Sequence, residues 1–137
     1  MRFAYTLLGR SDFNHQRHYI ERGDLAAKDE KPRTAFIYYG KAIELGIDPN
    51  LTAEARLKTA GLAREQFPDD SARTAYARRN YIAVTRLEGI ASYYKAYAYF
   101  ELGNLALEDA KGQEVHRPKR YDSPIAYYEN AVKFAAS

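Results

Sequence analysis

Apolar residues recur along this chain at helical rather than alternating spacing. Ala35, Tyr38, Tyr39, Ala42 and Ile43 fall at i, i+3, i+4, i+7 and i+8, and Pro124, Tyr127, Tyr128, Ala131 and Val132 repeat those intervals. Each set draws one apolar stripe along an amphipathic helix. Prolines punctuate the pattern. Pro32, Pro49, Pro68 and Pro124 stand where a helix begins, a place where the missing N–H costs nothing. Asp48 and Ser123, each directly before a proline, are N-capping residue types. The expected helices span about 11–30, 32–46, 50–66, 70–88, 90–111 and 123–136. Gly89 alone divides the fourth from the fifth. One glycine costs a helix about 1 kcal/mol, so the spacing leaves a single continuous helix open. No window alternates like a strand between hairpin turns. The expected fold is all-α: antiparallel helical hairpins stacked in one domain over 1–137.

The chain also resembles itself. Gly23 to Lys31 and Gly103 to Lys111 share Gly, Leu, Ala, Asp and Lys in register, and Phe36 to Ile43 parallels Ile125 to Val132. Each block is a helix, a gap and a second helix, with Gly112 to Asp122 inserted in the second copy. A repeated supersecondary unit buries its stripe by stacking on its neighbours. Gly23 and Gly103 omit a side chain where a partner helix approaches, Ala42 and Ala131 do the same on the second helix, and Tyr39 and Tyr128 fill the adjoining space.

These residues resemble the tetratricopeptide repeat family. Tyr19 and Gly23, then Ala35, Tyr39 and Ala42, stand at that family's spacing. Tyr99, Leu102 and Gly103, then Tyr128 and Ala131, do so again. Arg22 replaces the usual Leu, and Ala26 and Ala106 replace an aromatic residue. The matching units span about 16–49 and 96–134, with a divergent helix pair at about 50–88 between them. Ala26, Asp29, Ala35, Tyr39 and Ala42 are also similar to the three-helix microtubule-interacting-and-trafficking domain. The tetratricopeptide resemblance implies a concave groove that holds a peptide segment or partner helix. Its wall would carry Tyr97, Phe100 and Asn104, with Arg17, Ile20 and Asp24 at the matching places of the first copy. The lysine with which chaperone adaptors of that family clamp a terminal carboxylate is missing, for Ile20 and Phe100 stand there instead.

Composition narrows the chemistry. The 137 residues contain no cysteine, which excludes disulfides, thiolate nucleophiles and cysteine-held metals. Thirteen tyrosines and six phenylalanines stand against no tryptophan and one methionine. Tyrosine suits half-buried helix seams and recognition surfaces. The net charge of +3 is too small to diagnose a nucleic-acid binder. The opening stretch, Met1 to Arg10, is too short in apolar residues for a signal core or a membrane span, so a soluble cytoplasmic protein is expected.

Candidate chemistry is sparse. His15 and His18 share one helix face with Asp12 or Glu21, a spacing that permits a metal pair but supplies no full ligand set. Arg10 and His15 have the spacing of a pair in a family of helical ribonucleases, here at the wrong end of the chain. Ser11, Asp12 and His15 lie within one turn and cannot surround a substrate. No phosphate-binding or dinucleotide motif is present, so a non-catalytic interaction module without cofactor is expected. A basic alternative exists. Arg78, Arg79 and Arg86 lie on an acid-free helix, and Arg117, Lys119 and Arg120 lie in the insertion; together they suit an acidic partner or nucleic acid. Tyr127, Val132 and Phe134 on the last helix are more than one neighbour can cover, which points to a homo-oligomer, a dimer.

Overall fold

The computed structural model describes residues 2–67, 70–112 and 123–137. Six helices form among the described residues: α1 (Arg2–Lys28), α2 (Pro32–Leu45), α3 (Pro49–Gln66), α4 (Ser71–Thr85), α5 (Ser92–Gly112) and α6 (Pro124–Ala135). The fold is all-α. Pro32, Pro49 and Pro124 open their helices, and Pro68 lies outside the described residues. Asp48 Oδ2 accepts the Leu51 N–H at 2.9 Å, and Ser123 Oγ accepts that of Ala126 at 3.2 Å. At α4 the cap is Asp70, whose carboxylate accepts from the amides of Ala72 and Arg73. Such caps satisfy N–H groups that have no partner inside the helix.

Two boundaries differ from the sequence expectation. The first helix begins at Arg2, not near residue 11. The residues before 11 include Gly9, but a single glycine does not forbid a helix interior. The fourth helix ends at Thr85, not residue 88, and is separate from α5. The Arg86 and Leu87 amides close a last tight turn on the carbonyls of Ala83 and Val84, and Gly89 takes φ +71°. Asn50 Oδ1 accepts the Ala91 N–H at 2.9 Å and so ties this break to the start of α3. The left-handed backbone at Gly89, rather than helix propensity, decides the separation.

Each helix packs on the next in chain order, and α1 touches α3 as α3 touches α5. The odd-numbered helices therefore line up side by side. One core joins α1, α2 and α3 through Ile20, Ala35, Tyr39, Ala42, Leu51 and Ala55. The other joins α3 to α6 through residues including Ala60, Ala77, Tyr81, Ala98, Leu102 and Tyr127. Phe36 packs against both. Many of the buried positions are alanine, which lets helix axes approach closely.

The outer pairs share one lock. A Cβ on Gly23 would stand 2.5 Å from the ring of Tyr39, and one on Gly103 would stand 2.6 Å from the ring of Tyr128. The Tyr39 hydroxyl donates to Asp24 at 2.7 Å, and the Tyr128 hydroxyl donates to Asn104 at 2.6 Å. Gln16 adds a second tie in the first pair. It is fully buried, donates to the Ala42 carbonyl and to Thr52 Oγ1, and accepts the Asp48 N–H at 2.9 Å. No helix among the described residues is long and apolar enough to cross a membrane.

Candidate binding groove

Side-by-side alignment of α1, α3 and α5 leaves an open groove of about 620 Å³ between them. Helix α3 supplies the floor with Leu57, Gly61 and Leu62, α1 supplies Asp24 and Ala27, and α5 supplies Tyr93, Tyr94 and Tyr97. The lining is mostly apolar, with a few placed polar groups, as ligand sites usually are. Gly61 faces open space: a Cβ there would meet nothing within 4 Å. A second recess of about 640 Å³ adjoins the first, shares Gly61, Glu65 and Tyr97 with it, and adds Arg64, Tyr81, Glu101 and Glu108.

Ion pairs brace the walls. Lys58 on α3 reaches Asp24 on α1 at 2.6 Å, and Arg64 on α3 reaches both Glu101 and Glu108 on α5. Partly exposed pairs like these fix spacing more than they stabilise. Glu54 sits between Tyr39 and Tyr94, close enough for its charge to raise both phenols, and its buried Oε2 has no hydrogen-bond partner. Burial is the main cause that lifts Tyr39, Tyr81, Tyr94 and Tyr97 above the ordinary tyrosine range. For Tyr39 the hydrogen bond to Asp24 adds to it, and for Tyr97 the charge of Glu101 adds while Arg64 opposes. All four hydroxyls thus stay protonated, as donors, at neutral pH.

Of the six residues expected on the groove wall, the structure brings Asp24 and Tyr97 together there. Arg17 is exposed and near enough to Tyr94 to lower its phenol, which places it at the rim. Ile20 is not on the wall. It is 1% exposed and belongs to the core with α2 and α3. Phe100 and Asn104 turn toward α6, where Phe100 lies 5.9 Å from the Tyr128 ring and Asn104 holds the Tyr128 hydroxyl. Tyr93 and Phe100 stand two turns apart on nearly the same face of α5, yet only Tyr93 lines the groove, because Phe100 meets the Tyr128 ring of α6. The whole α3 contribution went unmarked by any motif. Its signal was a glycine, Gly61, inside an otherwise regular helix.

The arginine surface is only partly free. Arg78 pairs with Asp109 at 2.5 Å, Arg79 lies over the Tyr76 ring, and Arg86 is exposed at the end of α4. Arg117, Lys119 and Arg120 lie outside the described residues. His15 and His18 are exposed, and no group of three or more metal-ligating side chains exists among the described residues. No protein-family model, curated protein or solved structure matches this chain.

Proposed function

We propose that the protein is a non-catalytic interaction module that holds a peptide segment or partner helix in the groove between α1, α3 and α5. The observation that carries this reading is the groove itself. It is open and apolar-floored, and Tyr93 and Tyr97 stay at least half exposed on its wall. Aromatic side chains held on rigid helices give binding area at little entropic cost. The twice-made glycine–tyrosine lock supports treating α1–α2 and α5–α6 as two copies of one unit resembling a tetratricopeptide repeat. The same reading includes self-association through α6, whose Ile125 and Val132 are each 69% exposed.

A displayed library of random twelve-residue peptides, selected on the chain, tests the groove. Gly61→Met fills the floor without a clash, whereas Gly40→Met adds the same side chain to an exposed site on α2. Selected peptides should bind the wild type and Gly40→Met and lose Gly61→Met. Failure to select any peptide, or equal binding to Gly61→Met, would overturn the reading.

A further inference from the structure

The groove carries a charge opposite to that of the chain. Asp24, Glu54, Glu65, Glu101 and Glu108 line its two recesses, against Lys58 and Arg64, with Arg17 at the rim. Five carboxylates thus face three cations in a protein whose net charge is +3. The three cations do not cancel the excess. Lys58 is used by Asp24, and Arg64 is shared by Glu101 and Glu108. Glu54 and Glu65 make no ion pair among the described residues. Glu54 is the more telling of the two: it lines the groove while its inner carboxylate oxygen is buried without a hydrogen-bond partner, so its charge is poorly solvated and a cation on its groove side would offset that cost. Tyr39 and Tyr94 lie near enough to feel its charge, and Tyr93 and Tyr97 line the same groove. A carboxylate in a tyrosine-lined groove suits a lysine or arginine side chain, through charge at the head group and cation–π contact along the stem. A low-dielectric cleft of one sign also concentrates ligands of the other.

We infer that the groove's ligand is a basic peptide segment: one lysine or arginine seated against Glu54 among the tyrosines, flanked by apolar residues on Leu57 and Leu62. The inference rests on the groove-binding function proposed above and adds the sign of the ligand's charge.

The library selection separates the two. Peptides retained by the wild type and lost by Gly61→Met should be enriched in lysine or arginine at one position beside apolar residues. A fluorescein-labelled copy of one such peptide is then titrated by anisotropy. Glu54→Gln with Glu65→Gln should weaken it at least fivefold with no loss of melting temperature, since neither carboxylate has an ion-pair partner among the described residues. Raising NaCl from 50 to 300 mM should weaken the wild-type complex and affect the double variant less. Groove-blocked peptides without basic enrichment, or with acidic enrichment, overturn the basic ligand and leave groove binding standing. Unchanged affinity in the double variant also overturns it. Selection of no peptide at all overturns both.

Discussion

Gly23 and Gly103 set how closely paired helices approach, and their role can be separated from helix propensity by comparison with Gly40. All three lie inside helices. At Gly23 an added methyl would meet the Tyr39 ring, which is buried and tied to Asp24 and so cannot swing aside. Gly23→Ala should therefore destabilise the fold by about 2 kcal/mol through overpacking. At Gly40 the space is open, and Gly40→Ala should stabilise it by about 0.5–1 kcal/mol. Urea denaturation of both variants checks the opposite signs; equal effects would mean that the ring moves freely. The Tyr39 hydroxyl has its own signature. Its pKa is raised in the fold, so the neutral phenol is the form the fold favours. Below about pH 10 both folded and unfolded chains hold that proton, and the contribution is fully present. Above it the unfolded chain ionises first, and stability falls by up to about 1.4 kcal/mol per pH unit for each such phenol. Tyr39→Phe should be less stable at pH 7 by about 1 kcal/mol, for the lost hydrogen bond. Between pH 10 and 11.5 its melting temperature should decline less steeply than that of the wild type.

Between elements, Gln16 does what no interval of apolar residues advertises. It lies in a run of His15, Gln16, Arg17 and His18 that reads as a solvated face, yet its amide joins α1 to the end of α2 and the start of α3. Gln16→Leu keeps the volume and removes the polar ends, leaving the partly buried Asp48 N–H without its acceptor and the Ala42 carbonyl without one of its donors. A loss of about 2–4 kcal/mol is expected. Hydrogen exchange by NMR should show the Asp48 amide losing protection far more than the Ala98 amide in α5. Unchanged protection at Asp48 would assign the tie to some other group. The contrast shows where sequence reading succeeds. Pro32, Pro49 and Pro124, the last two with their Asp48 and Ser123 caps, are local devices, so the helices were legible within a few residues, α1 excepted. The Gly23–Tyr39 and Gly103–Tyr128 locks were legible because they recur. The groove was legible only in part. Asp24 and Tyr97 bear on it, but its floor comes from α3, the stretch with the least motif. Tyr93 and Phe100 share nearly one face of α5, and only the packing of α6 decides that the first lines the groove and the second does not.

At the scale of the molecule, superposing one lock on the other exposes a difference between its two ends. The register that aligns Gly23 with Gly103 and Tyr39 with Tyr128 also aligns Ile20 with Phe100, Phe36 with Ile125 and Ile43 with Val132. In the first pair these residues are covered by α3 and by Arg73 of α4: Ile20 is 1% exposed, and Phe36 and Ile43 are partly buried. In the last pair Phe100 is 49% exposed, and Ile125 and Val132 are each 69% exposed, with no described helix lying over them. Tyr127 and Phe134 are provided for, one in the core and the other stacked on Tyr99 at 5.6 Å, so the uncovered set is narrower than the sequence suggested. A surface built to take the next helix is the natural seat for the same surface of a second copy, because a two-fold contact closes without leaving a further face bare. Glu129 and Lys133 on α6 are both exposed and carry opposite charges, so a two-fold contact there would set no excess of one sign against itself. Sedimentation equilibrium at tens of micromolar should find a dimer. Ile125→Glu with Val132→Glu should return a folded monomer whose melting temperature no longer rises with protein concentration as that of the wild type does, since both residues are solvent-facing within one chain. A wild-type monomer at that concentration, or a dimer indifferent to both substitutions, would leave this end face without a partner of its own kind.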